Sequence, residues 1–151
     1  MTFSVYLEST CQTAETEREV LDSLTGILIA DGVLDKIQVR AARASLQILI
    51  ENSIGKARRI LKQFNCPVVP TRSRDPFIIM HEIGLISDEV YQALMRAVGF
   101  RNTMIHDYMN FDEQVLVNIV RDKRYMDIYA FLVESPEYSE VLQRRVENYS
   151  V

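Results

Sequence analysis

Little in this sequence suits a secreted, zinc-built or membrane-spanning protein. It has two cysteines, Cys11 and Cys66, which stand alone with no C-x-x-C spacing. Isolated thiols of this kind fit a reducing compartment rather than a disulfide scaffold. Two histidines and two scattered cysteines are too few for a closed zinc site. His81-Glu82 lacks a second histidine four residues on, which excludes a zinc-protease helix. There is no P-loop, no G-x-G-x-x-G and no D-x-D pair, so a self-contained nucleotidyltransferase is excluded. Five glycines and four prolines are too few for an all-β fold with its many tight turns. No apolar run approaches the roughly 20 residues that cross a bilayer. No basic stretch leads into an apolar one at the start, so no leader is visible and a cytoplasmic, membrane-free protein is expected. Positive charge is also short, with 17 Lys and Arg against 21 Asp and Glu. The net charge of -4 gives no global pull on nucleic acid, so any RNA contact must be local.

What the chain does have is helical periodicity. Its 151 residues suggest one domain over 1–151, with residues 1–12 left as an N-terminal extension or a first helical turn. Val20, Leu21, Leu24, Ile27 and Leu28 recur at spacings of three and four until Asp31-Gly32. A second helix is expected from Leu34 to Phe64. Its seam is Leu34, Ile37, Ala41, Ala44 and Ile48, then Ala57, Ile60 and Leu61, and Gly55 is a point of weakness. Residues 65–76 carry three prolines and read as a loop. A short helix follows over 77–83, closed by Gly84. Ser87 then caps a helix carrying Val90, Leu94 and Val98, with a kink expected at Gly99. One more helix runs from Asp112 to Leu132, and Ser135-Pro136-Glu137 opens a last one. The class is all-α, an up-and-down helical bundle.

Chemistry concentrates in Arg101-Asn102-Thr103-Met104-Ile105-His106-Asp107-Tyr108. Asn102 and His106, four apart, share a helix face. Arg101 and His106 lie about 140° apart around the axis. A joint site therefore needs side-chain reach, a bend at Gly99, or a second subunit. From spacing alone, capping and solvation account for these residues at least as well as chemistry does. The same holds for the basic clusters Lys56/Arg58/Arg59/Lys62, Arg72/Arg74 and Arg121/Lys123/Arg124. Each could attract RNA phosphates, but reads first as a solvated face. His81, in an apolar stretch, reads as a buried structural histidine.

The segment resembles the R-x4-H-x-Y motif of HepT toxins in the HEPN superfamily, through Arg101, Asn102, His106 and Tyr108 and the Gly99-Phe100 lead-in. The stretch Leu46-Gln47 to Ile50-Glu51 is similar to that family's "LQ…IE", and 75–85 to its short helix ending in glycine. Together these cover roughly residues 13–132. The resemblance implies a homodimeric HEPN-type bundle whose paired motifs line a cleft. It also implies cleavage of RNA (tRNA or mRNA) without metal or other cofactor, through attack by the substrate's 2′-OH. Arg101, His106 and Asn102 would be catalytic, His106 exchanging protons near neutral pH and Arg101 gripping phosphate. It further implies a nucleotidyltransferase antitoxin of the MntA type that adds AMP to Tyr108. The competing expectation is a catalytically idle HEPN module that serves such a nucleotidyltransferase as a helical partner.

Overall fold

Why the chain forms these helices is written largely at their ends. The Thr2 hydroxyl accepts from the Val5 N–H and starts α1, Phe3–Asp31. Asp35 and Gln38 form a reciprocal capping box at the head of α2, Lys36–Gln63. Pro76 in the first turn opens α3, Asp75–Ile83, and Ser87 caps α4, Asp88–His106. A single 3-10 turn, Tyr108–Asn110, leads to α5, Glu113–Arg121, then α6, Tyr125–Val133, and α7, Glu140–Glu147. The computed structural model describes residues 1–151, and it is all-helical. No helix is long and apolar enough to cross a membrane.

α1 and α2 form a long antiparallel pair: Phe3, at the start of α1, meets Phe64 edge-on at the end of α2. α2 is the centre of the bundle and touches α1, α3, α4, α5 and α6. The core is one cluster of 25 buried residues to which all seven helices contribute. At about 25 cal/mol per Å² of apolar surface, burial of this cluster is what holds helices as short as α3, α5 and α6 in place.

Several expectations are corrected. Of the two alternatives for residues 1–12, the helical one holds: they are helical from Phe3 and belong to α1, and Thr10 is buried. The seam on α2 is rotated. Ala42, Ser45, Leu46, Leu49, Ile50, Ser53 and Ile54 are buried, whereas Ile37 is 80% exposed and Ala44 and Ile48 face outward. Gly55 does not weaken the helix. Its missing side chain admits α1, since a Cβ there would stand 3.2 Å from the Tyr6 hydroxyl. α4 runs unbroken through Gly99 to His106. The final helix begins at Glu140 with Ser139 as its cap, so Pro136 lies ahead of it.

The long helix expected from Asp112 to Leu132 is two helices. Lys123 takes a left-handed conformation (φ 54°), and the Arg124 N–H turns back to the Ile119 carbonyl. A lysine in that role gives no sequence signal. The Val120 carbonyl at the break accepts from the buried Thr25 hydroxyl at 2.7 Å. The Tyr125 hydroxyl lies 3.0 Å from Thr25 and donates to Asp22 at 2.5 Å. Burial, and then the Asp22 carboxylate, push the Tyr125 phenol up to about 12.

Lys56 also departs from expectation. It is 1% exposed and no part of a solvated basic face. Its Nζ donates to the carbonyls of Phe131 (2.7 Å), Leu132 (3.1 Å) and Glu134 (2.6 Å). Three ammonium protons thus meet three carbonyls left bare at the end of α6. Burial lowers its pKa from the usual lysine range to about 8, with Cys11 and Glu134 acting in the opposite direction.

Candidate active site

The last two turns of α4 and the proline-rich loop before α3 enclose a cavity of about 440 Å³. Arg101, Asn102 and His106 line it from α4. Arg72, Ser73, Arg74 and Asp75 line the opposite wall, and Ile78 is its single apolar residue. With α4 unbroken, side-chain reach rather than a bend brings Arg101 and His106 to one space. Asn102 and Arg101 are half-buried, while His106, at the end of the helix, is open to solvent.

Arg101 is held from behind. Its Nε donates to Oε1 of Glu51 on α2 at 2.5 Å, and its Nη1 to Oδ1 of Asn102 at 2.9 Å. Glu51 and Asn102 therefore hold Nε and Nη1 of the guanidinium and leave its remaining N–H groups to pair with a tetrahedral anion. Sequence reasoning gave Glu51 no role. Its only signal was its position in the Leu46–Glu51 stretch. The two loop arginines were read as a solvated face, and the structure places both in the cavity. Asp107 caps α4 with its N–H to the Thr103 carbonyl.

Tyr108 does not line the cavity. It lies on the following 3-10 turn, 64% exposed. The Arg43 guanidinium carbon sits 5.1 Å from its ring centre and 4.8 Å from that of Phe111. Arg43 thus holds the turn through the faces of two rings. Ile105 and Met109, on either side, are exposed as well.

His81 is not fully buried. It stacks on Tyr91 with ring centres 4.0 Å apart, and its Nε2 lies 3.2 Å from Asp88. No group of three or more His, Cys, Asp or Glu side chains gathers where it could hold a metal ion. A larger hollow of about 500 Å³ between α2, α4, α5 and α6 has mostly apolar walls and is lined by none of Arg101, Asn102, His106 and Tyr108.

An arginine, an asparagine and a histidine thus line one open polar cavity, with groups that could bind an anion and exchange a proton. The mRNA nuclease HepT of Shewanella oneidensis is 31% identical over 77 residues, which cover 51% of this chain and 57% of that relative. The alignment thus spans little more than half of its length. Two solved structures share the fold. One is a tri-AMPylated Shewanella oneidensis HEPN toxin in complex with MNT antitoxin, with TM-score 0.71 and 23% identity, covering 87% of this chain and 96% of that one. The other is from a toxin–antitoxin with AMP-PNP, with TM-score 0.69 and 20% identity, covering 94% and 99%. The family model described as ribonuclease HepT-like matches residues 14–135. That match covers most of the chain and takes in the loop, α3 and α4, which between them line the cavity, so the chain belongs to the HepT-like ribonuclease family.

Proposed function

We propose that this chain is a toxin-type endoribonuclease that cleaves RNA at the Arg101–Asn102–His106 cavity, with no metal taking part. The observation that carries this reading is the meeting of those three side chains in one open polar cavity, with Arg101 fixed by Glu51. In the reaction the RNA 2′-oxygen attacks the adjacent phosphorus, and the bond to the 5′-oxygen breaks. The products are a 2′,3′-cyclic phosphate and a free 5′-hydroxyl. One proton leaves the 2′-OH and one reaches the departing oxygen, and His106 mediates such a transfer. Arg101 opposes the negative charge that grows on the non-bridging oxygens. Asn102 keeps the guanidinium in register. The test is cleavage of single-stranded RNA by purified protein in EDTA. Cyclic-phosphate ends are expected. If no RNA is cut, the idle helical partner becomes the better reading.

The site is proposed to work as a homodimer. One imidazole serves two proton transfers poorly, and a second copy brings another His106. The apolar stripe of Ile37, Ala44 and Ile48 on α2, with Ile105 and Met109 beside the motif, is left uncovered. A two-fold contact would bury it. Light scattering at micromolar concentration should give twice the 17.5 kDa of the chain. A value at 17.5 kDa would overturn the dimer.

The partner is proposed to be an MntA-type nucleotidyltransferase that transfers AMP to Tyr108. The exposure of Tyr108 on its turn supports this. Each transfer joins the phenol oxygen to the α-phosphorus of ATP and expels pyrophosphate. A bulky anion beside the cavity then repels and blocks RNA. After co-expression with the nucleotidyltransferase, the tryptic peptide 102–121 should gain AMP mass, and Tyr108→Phe should not. An unmodified peptide from an inactive complex would refute modification and leave occlusion.

A further inference from the structure

Two arginines in the cavity take no part in the chemistry proposed above. We propose that Arg72 and Arg74 form a second phosphate subsite, which holds the RNA backbone beside the scissile bond and seats the strand before Arg101 and His106 act. This rests on the ribonuclease reading for its substrate class, but not on cleavage for its test.

Four observations converge. First, the charges are free. Neither guanidinium takes part in an ion pair, although acids outnumber bases in the chain. The nearest carboxylate in the cavity, Asp75, is engaged through Oδ2 with the Arg72 backbone N–H at 3.0 Å. That bond closes the loop on itself instead of neutralising a side chain.

Second, the position is defined. A Cβ added at Gly99 would stand 3.0 Å from Nη2 of Arg74. The Arg74 guanidinium therefore rests against the backbone of α4, two residues before Arg101. Gly99, expected from sequence to bend the helix, is instead the floor on which this arginine lies.

Third, the loop is stiff. Pro67 and Pro70 restrict it, Pro76 fixes the first turn of α3 that follows, and Arg72 accepts from the Asp75 N–H through its carbonyl at 3.2 Å. Ordering it on binding costs little entropy. Fourth, the three arginines differ in what holds them. Arg101 is tied to Glu51 and Asn102, whereas Arg72 and Arg74 have all their side-chain donors open. Free guanidinium groups are the ones that meet a strand first, and they bind phosphate irrespective of base.

The probe is a fluorescent single-stranded 12-mer with 2′-O-methyl groups throughout, which has no 2′-OH to attack with. Its affinity for the full-length protein is read by anisotropy across a salt series. For the double variant Arg72→Gln/Arg74→Gln, binding at low salt should weaken at least about tenfold. The slope of log affinity against log salt should fall by about 1.4, at roughly 0.7 per phosphate contact on a single strand. Arg72→Lys/Arg74→Lys should keep most of the slope. Arg121→Gln/Arg124→Gln, at the α5–α6 break, should change neither quantity. Unaltered affinity and slope in the Gln double variant, or no binding by the wild type, overturns the subsite. Thermal melts of all variants distinguish lost contacts from lost structure, and the Lys pair supplies a second reading if the Gln pair melts early. The two claims fail separately. Arginine-dependent binding without cleavage of ordinary RNA removes the ribonuclease reading alone. Cleavage by the double variant at the wild-type KM removes the subsite alone.

Discussion

His106→Ala should lower RNA cleavage by about 10²–10⁴-fold, the span that positioned acid–base groups contribute. The melt should stay within about 1 °C of wild type, because the side chain is exposed at the end of α4 and no packed neighbour depends on it. Arg101→Ala should cost a similar factor through lost charge stabilisation. Here stability will move slightly, since Glu51 loses its partner, but both side chains are partly solvated and such pairs contribute at most about 1 kcal/mol. Arg101→Lys separates charge from geometry. A lysine keeps the cation but cannot donate to Glu51 and Asn102 while presenting a fork to phosphate, so it should recover little. Steady-state cleavage of a fluorogenic RNA, with a melt on each sample, is the measurement. A fully active His106→Ala protein would end the assignment of this cavity as the catalytic centre.

Lys56→Met should destabilise the fold by about 3 kcal/mol, the scale for leaving buried acceptors unpaired. For a domain of this size that is a drop of roughly 6–12 °C in melting temperature. Methionine keeps the stem that fills the space between α2 and α6. The loss therefore isolates the three carbonyls of Phe131, Leu132 and Glu134, with only the weak Cys11 thiol contacts remaining to the end of α6. The pH dependence has a definite sign. The folded chain holds the Lys56 proton less tightly than the unfolded chain, since its pKa is lowered to about 8. This opposing contribution is complete below pH 8 and fades as pH rises towards the ordinary lysine value of about 10.4. The gap between wild type and Lys56→Met should therefore widen above pH 8. Denaturant melts at pH 7 and pH 9.5 would show it. Equal stability of the two proteins at both pH values would mean that water satisfies these carbonyls instead.

Much of this arrangement was written locally. Caps at Ser87 and Asp112, prolines in the 65–76 loop and the stripe on α1 are signals within a few residues, and the helices start or run where they say. The segment from Arg101 to Tyr108 was legible in the same way, as an unusual density of polar groups on one helix end. What failed had two causes. α2 is apolar on more than one side, and periodicity cannot rank two parallel stripes. Ile37, Ala44 and Ile48 repeat as regularly as Leu46, Leu49 and Ile50, and only the packing of five other helices shows which set is covered. The break at Lys123 is held by Thr25, a residue 95 positions from its partner Val120, so no local pattern could announce it.

The sequence by itself determined the class, the starts of α4 and α5 and the segment where polar groups concentrate, because each depends on neighbours one or two turns away. Tertiary structure alone decided that Lys56 is a buried clamp and not a surface cation, that Glu51 holds Arg101, and that Arg72 and Arg74 share a cavity with His106. A charged side chain reads as solvated in any one-dimensional pattern. Whether it meets water, a carbonyl or a carboxylate is fixed by elements distant in the chain, and it is that meeting that sets its charge, its orientation and its use.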